Sequence, residues 1–303
     1  MKYIISGVQI SNSCCHREIM QQLLLCNWKI LCQIFWRKVM KNLLISDFDG
    51  TLYHNNINIY KENLLFIKRW ASSPDNYFSI ATGRLAREIY NICTKENILY
   101  EFIVCNEGSS IIYNKFDKND IFTFTASSCL QIYRSLIKLV ESKQLKYFLE
   151  TDGEYGFIDC YNLDDKCRNI VREKKKTKYN YLTFKDKNSD IKTSIFILKI
   201  LDISYVDLVK KILEKELGNI CSISQAYTYM ALIPKKASKV EGIAKALKDN
   251  KRKFDRILMV GDSRNDIESL RKYMGFTIKG SEAEKILPEL PSVQYLNEIE
   301  NYL

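Results

Sequence analysis

The sequence predicts an α/β fold: a doubly wound, mostly parallel sheet with a smaller α+β domain inserted in it. From Met40 onward, short apolar runs typical of buried strands alternate with segments of helical period, which predicts βαβ units. Three of these runs end in small or polar residues, as expected at the ligand-binding edge of a parallel sheet. The alternation stops between 116 and 233, and this break predicts the insertion.

The core elements follow in chain order. The first predicted helix is expected to bury Leu64, Leu65, Ile67 and Trp70. Before the insertion, the pattern predicts strands at 43–47, 77–81 and 102–105 and helices at 60–72 and 85–96. After it, the pattern predicts a helix that begins at Ser238 as its N-cap, a strand at 256–260 and a further helix opened by Gly261–Asp266.

The middle of the chain predicts an α+β domain. An Asp152-Gly153 pair between two apolar runs is typical of a hairpin turn. Strands are predicted at 147–151, 154–159, 193–201, 219–224 and 227–233, and helices at 127–142, 163–173 and 205–217. We therefore divide the chain into a leader at 1–39, a core at 40–115 and 234–303, and an inserted cap at 116–233.

Composition and charge favour an enzyme that acts on small anions. The chain has 303 residues, of which 46% are hydrophobic, enough for a sizeable core and for two domains. Its net charge is +10, but residues 1–39 hold five basic residues and one acid, which leaves a mild 41 − 35 = +6 elsewhere. The lysine-rich runs at 174–178 and 251–253 are interpreted as solvated loops, so no nucleic-acid partner is expected.

The leader and the cysteines bear on location. Polar residues interrupt the apolar stretch at 19–39, so no membrane span is predicted. Residues 1–39 would form an amphipathic helix in peripheral contact with a membrane or with the protein, or stay unstructured, or precede a natural start at Met40. Ten cysteines without CxxC pairs, only two histidines and no secretory signal argue against a zinc site and favour the cytoplasm.

Acidic residues at the predicted sheet edge indicate phosphoryl chemistry with Mg²⁺. Asp47, Asp49 and Asp262 supply the oxygen ligands that Mg²⁺ prefers, and a cation would offset their mutual repulsion. One aspartate can attack phosphorus, and a second on the same strand face can protonate the leaving oxygen. Thr82 would donate a hydrogen bond to the phosphoryl group, and Lys239 would neutralise its charge.

Glycines beside these residues suit the binding of an anion. Gly50 and Gly83 permit the tight backbone that points N–H groups at a phosphoryl group. Four segments then stand in a fixed order: Asp47-Phe48-Asp49-Gly50-Thr51-Leu52, Ala81-Thr82-Gly83-Arg84, Ser238-Lys239 and Gly261-Asp262-Ser263-Arg264-Asn265-Asp266. In this order the sequence resembles the haloacid dehalogenase superfamily, specifically its Cof-like sugar-phosphatase branch.

The resemblance implies a role for each matching residue. Asp47 would be the nucleophile and a metal ligand, and Asp49 would be the acid/base that offers its backbone carbonyl to Mg²⁺. Asp262 and Asp266 would complete the metal site. Substrate-binding residues would be Gly50, Thr82, Gly83, Lys239 and Asn265. Asn106 matches an Asn-Gly-type corner of the branch, although Glu107 separates it from Gly108 here.

Motif spacing places the cap. Asp47 and Thr82 are 35 positions apart, which leaves room for one helix, whereas Thr82 and Lys239 are 157 apart. This is the placement of the type-two cap of the Cof-like branch. The resemblance thus implies a Mg²⁺-dependent phosphatase of small phosphorylated metabolites, a sugar phosphate or a phosphorylated cofactor precursor, with an aspartyl-phosphate intermediate. Alternatives are a phosphomutase on the same core and a non-catalytic sensor of phosphorylated ligands.

Overall fold

The computed structural model describes residues 40–113, 117–151, 157–161 and 193–302. Four sequence-based predictions lie outside the described residues: the leader at 1–39, the Asp152-Gly153 turn, the helix at 163–173 and the lysine run at 174–178. Within the described residues, no helix has the length and apolar character that crossing a membrane requires.

An eight-stranded sheet forms the larger part of the fold. Its strand order is β13-β12-β11-β1-β2-β3-β4-β5, and all neighbours from β13 to β3 run parallel. The strands are β1 (Asn42–Ser46), β2 (Asn76–Ala81), β3 (Ile103–Cys105), β4 (Ser110–Ile112), β5 (Lys118–Asp120), β11 (Arg256–Gly261), β12 (Met274–Ile278) and β13 (Ser292–Val293). The prediction of a mostly parallel α/β sheet is confirmed.

Helices cover both faces of this sheet. They are α1 (Ile57–Ser72), α2 (Ala86–Glu96), α5 (Lys239–Asp249), α6 (Ile267–Lys272) and α7 (Glu282–Ile286). Successive side chains of β1 point to opposite faces, so Leu44 packs with residues of α1 and α2 while Leu43 and Ile45 pack with residues of α5 and α6. Because both faces are buried, β1 is apolar throughout its centre.

Helix α1 corrects one prediction. Leu65 was expected to be buried, but it is 58% exposed, whereas Asn63 and Phe66 are buried. At 100° per residue, position 65 turns away from the face that holds Ile67 and Trp70. The buried Asn63 has a use: its Nδ2 donates to the carbonyls of Thr51 and Leu52 at 3.2 and 3.1 Å. This amide fixes the loop that follows β1.

A second sheet is antiparallel throughout, with strand order β7-β6-β8-β10-β9. Its strands are β6 (Leu145–Thr151), β7 (Phe157–Tyr161), β8 (Ile195–Ile200), β9 (Cys221–Ala226) and β10 (Tyr229–Pro234), and its helices are α3 (Ala126–Glu141) and α4 (Val206–Leu217). These elements share a core of their own that includes Ile132, Phe148 and Leu213. Strand β5 belongs to the larger sheet although it lies inside the segment 116–233 that was expected for the cap. The division into core and cap stays a prediction.

Candidate active site

Three central strands bring the sequence motifs to one edge of the larger sheet. Residues 42–46 of β1 pair in parallel register with 76–80 of β2 and with 256–260 of β11. Asp47 follows β1 directly, and its N–H donates to the Val260 carbonyl at 2.9 Å. Thr82 follows β2, and Asp262 follows β11. Their common position is the ligand-binding edge expected of such a sheet.

A buried ion-pair cluster lies at this edge. Lys239 Nζ donates to Asp47 Oδ1 at 2.6 Å and to Asp266 Oδ1 at 2.8 Å. All three residues are at least 96% buried, with Asp266 entirely inaccessible. Charges at this depth are retained only when they are paired and hydrogen-bonded, and the geometry here provides both.

Helix ends position two members of the cluster. Lys239 is the first residue of α5, whose N-cap Ser238 accepts from the Glu241 N–H, so the predicted N-cap is confirmed. Asp266 ends a 3₁₀ turn at Arg264–Asp266, and its Oδ2 accepts from the N–H and the hydroxyl of Ser263. This capping box leaves the other oxygen of Asp266 for Lys239.

The loop after β1 fits closely around Asp262. Gly50 has a φ of +86°, and a Cβ there would collide with the Asp262 carboxylate. The Thr51 hydroxyl donates to Asp262 Oδ1 at 3.2 Å. Glycine at position 50 therefore serves both the left-handed turn and the approach of the acid.

The electrostatics of the cluster show an excess of negative charge. Burial raises the pKa of Asp47 well above its ordinary value, and the Asp266 and Asp262 carboxylates add to this while Lys239 opposes it. Burial also raises the pKa of Asp262, as does neighbouring Asp266. Burial alone would lower the pKa of Lys239, but Asp266 and Asp47 outweigh it and hold that pKa above its ordinary value.

The donor set fits a divalent metal ion. One carboxylate oxygen from each of Asp47, Asp262 and Asp266 lies within 4.8 Å of the others. Three carboxylates face a single ammonium group, so a cation would remove repulsion that burial makes costly. Oxygen donors of this kind suit a hard ion. Within the described residues, Asp47, Asp262 and Asp266 form the candidate metal site.

Asp49 occupies a different environment from Asp47. Its side chain is 52% exposed, and Arg84 binds it with two hydrogen bonds, from Nε at 2.8 Å and from Nη2 at 2.7 Å. Arg84 also pairs with Glu88 at 2.9 Å and lies over the Phe48 ring. The hydrogen bond to Asp49 raises the pKa of Arg84. The structure thus separates the two aspartates: one is buried with Lys239, and the other is at the surface with Arg84.

The remaining predicted binding residues surround the cluster. Thr82 is buried, and its Oγ1 accepts from the Arg84 N–H at 3.2 Å, so the hydroxyl has its own hydrogen to donate. A Cβ at Gly83 would collide with the Glu107 carboxylate. Asn265 Nδ2 donates to both oxygens of Glu107, at 3.2 and 2.9 Å. Asn265 therefore meets a carboxylate of this chain at the place where an anion was expected.

Sequence reasoning assigned no role to Arg84 or Glu107. Arg84 was visible as the last residue of the motif after β2, directly at the edge where Asp49 needs a partner. Glu107 was visible as the residue that interrupts the Asn-Gly-type corner. An acidic residue among motifs that bind an anion is the signal that could have identified Glu107 as a functional residue.

Comparison with known proteins supports the fold assignment. The family model for haloacid dehalogenase-like hydrolases matches residues 44–284, which is more than half of the chain. No curated protein matches significantly. A haloacid dehalogenase-like hydrolase from Bacteroides thetaiotaomicron is 16% identical with a TM-score of 0.67, and the match covers 87% of this chain and 100% of that one.

Two further solved structures are similar. A subclass IIB sugar phosphatase of the superfamily is 14% identical with a TM-score of 0.64, over 86% of this chain and 95% of its own. A HAD/COF-like hydrolase from Plasmodium vivax is 22% identical with a TM-score of 0.65, over 86% and 92%. The chain therefore belongs to the haloacid dehalogenase-like hydrolase family, with the fold of its Cof-like branch.

Proposed function

We propose that this chain is a Mg²⁺-dependent phosphatase that hydrolyses small phosphorylated metabolites through an aspartyl-phosphate on Asp47. The observation that carries the proposal is the buried cluster of Asp47, Lys239 and Asp266 beside Asp262. A nucleophilic carboxylate next to a fixed ammonium group and a cation site is what phosphoryl transfer needs. The family includes phosphatases, and the similar subclass IIB structure is named a sugar phosphatase.

In the first step, an oxygen of Asp47 attacks phosphorus and the bond to the leaving oxygen breaks. Lys239 neutralises negative charge on the transferred group, and the Thr82 hydroxyl donates a hydrogen bond to it. Asp49 first releases Arg84 and binds a proton, and it then gives that proton to the leaving oxygen, which departs as an alcohol. The exposed position of Asp49 suits this role, because it must face the part of the substrate that leaves.

In the second step, Asp49 accepts a proton from water as the water oxygen attacks phosphorus. The bond between phosphorus and Asp47 then breaks, which releases phosphate and restores both carboxyl groups to their starting states. A bound Mg²⁺, held by Asp47, Asp262 and Asp266 with the Asp49 carbonyl, would supply charge neutralisation to the phosphoryl oxygens. We place the reaction in the cytoplasm and expect no nucleic-acid partner.

The test is hydrolysis of p-nitrophenyl phosphate by the purified full-length chain with Mg²⁺. We expect turnover by the wild type and a loss of at least about 10³-fold in Asp47→Asn, because an amide cannot form the acyl phosphate. Asp207→Asn, on the exposed first turn of α4, is the matched control and should keep wild-type activity.

Two outcomes would contradict the proposal. Activity that survives Asp47→Asn would exclude Asp47 as the nucleophile. No turnover by the wild type on this ester and on a panel of sugar phosphates would favour the non-catalytic sensor. Transfer of the phosphoryl group to a second sugar hydroxyl instead of water would favour the phosphomutase.

A further inference from the structure

Glu107 lies at a strained corner beside the reaction centre. It occupies the middle of the 3₁₀ turn Asn106–Gly108 that follows β3, with φ +52° and ψ +32°. A residue with a Cβ is strained in this left-handed region, whereas glycine is not. A Cβ at Gly108 would collide with the Ser238 carbonyl, so the corner packs directly against the start of α5, which carries Lys239. The surroundings fix the backbone of Glu107 in place.

The side chain of Glu107 connects both sheets. Asn265 donates to both of its oxygens from the motif loop after β11, at 3.2 and 2.9 Å. From β9 of the second sheet, the Ser224 hydroxyl donates to Oε1 at 3.3 Å. The carboxylate also rests against Gly83, the residue after Thr82. Glu107 therefore lies between the phosphoryl-binding motifs and the second sheet.

A carboxylate at this position affects which ester can bind. Lys239 and Thr82 attract a phosphoryl group, but Glu107 repels negative charge that comes near it. Glu107 is only partly buried, so its oxygens have lone pairs to offer to a bound molecule beyond the three hydrogen bonds they accept. Hydroxyl and ammonium groups can use those lone pairs, whereas a second anionic group cannot.

We propose that Glu107 determines substrate specificity: it faces the leaving group and selects esters whose leaving group carries hydroxyl or ammonium donors and no second negative charge. This inference rests on the proposed phosphatase function and narrows its substrate class. Specificity arises here as much from rejection as from attraction, because a second anion would meet a like charge at close range.

The test compares three small phosphate esters: glycerol 3-phosphate, phosphoethanolamine and 3-phosphoglycerate. The first and third differ chiefly in a hydroxymethyl group against a carboxylate. We expect the wild type to favour glycerol 3-phosphate over 3-phosphoglycerate in kcat/KM, and Glu107→Gln to reduce that ratio on the order of tenfold. Phosphoethanolamine should lose kcat/KM in the same variant.

Two control variants separate charge from structure. Ser224→Ala removes the hydrogen bond from β9 but keeps the Glu107 charge, so the ratio should stay as in the wild type. Glu300→Gln removes an exposed acid that pairs with Arg69 and should also leave the ratio unchanged. A Glu107→Gln variant with an unchanged ratio, or with all three esters weakened equally, would overturn the proposal.

The role of Glu107 in specificity can be refuted independently of the phosphatase activity. If the wild type hydrolyses neither these three esters nor p-nitrophenyl phosphate and the panel of sugar phosphates, the phosphatase assignment is contradicted. The dissociation constants of the same esters, measured by titration calorimetry with Mg²⁺, then test Glu107 alone. A preference for glycerol 3-phosphate that falls in Glu107→Gln would support the role of Glu107, and equal dissociation constants in both proteins would refute it.

Discussion

Both sheets bury an acid, and the two acids are stabilised in opposite ways. In the second sheet, Glu150 is fully buried on β6 and accepts a hydrogen bond from the Tyr133 hydroxyl at 2.6 Å and another from the Thr193 hydroxyl. In the larger sheet, Asp47 is buried beside two more carboxylates and one ammonium group. Neutral donors make an acid part of the scaffold, whereas excess charge makes it a site for a cation and an anionic substrate.

The different surroundings of Glu150 and Asp47 explain why the candidate active site lies at Asp47 and not at Glu150. Among the described residues, the hydroxyl groups of Tyr133 and Thr193 take the place of water at the Glu150 carboxylate. The Asp47 environment has charge left over, which a metal ion or a phosphoryl group can use. A site with excess charge lowers the stability of the fold in exchange for function. The free energy of unfolding of variants at the two acids should show this difference.

Substitution of Lys239, the positively charged residue at the centre of the cluster, should have the largest effect on stability. Lys239→Met leaves Asp47 and Asp266 without their ammonium partner, so the free energy of unfolding at neutral pH should fall by about 3–5 kcal/mol. Tyr133→Phe removes one neutral donor from Glu150 and should cost about 1–3 kcal/mol. Urea unfolding measures both values.

Activity distinguishes the two variants further. Lys239→Met should abolish hydrolysis of an aryl phosphate, while Tyr133→Phe should keep a rate close to that of the wild type. If Lys239→Met and Tyr133→Phe lose equal stability and equal activity, the proposed difference between Asp47 and Glu150 is contradicted.

The pH dependence of stability should show a smaller effect at the same cluster. Because burial raises the pKa of Asp47 and Asp262, the native protein holds protons that the unfolded chain has released. The contribution of these groups to the free energy of unfolding is therefore lost as pH rises from about 4 through the raised pKa values. In metal-free protein, Asp262→Asn should lessen that loss by up to about 1.4 kcal/mol per pH unit.

Unfolding curves of metal-free protein at several pH values test this slope. Asp207→Asn, on an exposed helical turn, should follow the wild type at every pH. An Asp262→Asn variant with the slope of the wild type would mean that Asp262 does not share in the titration.

The sequence predicts the four central strands of the larger sheet, β11, β1, β2 and β3, because its signals there are local, whereas the outer strands β4, β5, β12 and β13 are not predicted. Apolar runs, an N-cap at Ser238 and polar residues at strand ends each depend on neighbours along the chain, and the edge then follows from parallel pairing. The same signals bring Asp47, Lys239, Asp262 and Asp266 together, since each stands at the end of an element that points to this edge.

Side-chain partners across the fold are harder to predict. The pairing of Asp49 with Arg84 depends on rotamers and on the curvature of the loop at 48–53, which no spacing in the sequence encodes. The contact of Ser224 with Glu107 joins positions 117 residues apart, one on β9 of the second sheet and the other in the turn after β3 of the larger sheet. Burial within a helix is also hard to predict at the border of the apolar face. Leu65 lies next to buried positions of α1 and is apolar, so the sequence pattern predicts it to be buried although it is exposed.

Thermal unfolding during a Mg²⁺ titration tests most directly whether the cluster at the edge of the larger sheet is a cation site. The wild type and Tyr133→Phe should both gain stability with Mg²⁺, by about 2.7 kcal/mol at a concentration 100 times the dissociation constant. Asp262→Asn should gain little, because one of its three carboxylates is gone. A gain in Asp262→Asn equal to that of the wild type would contradict the assignment.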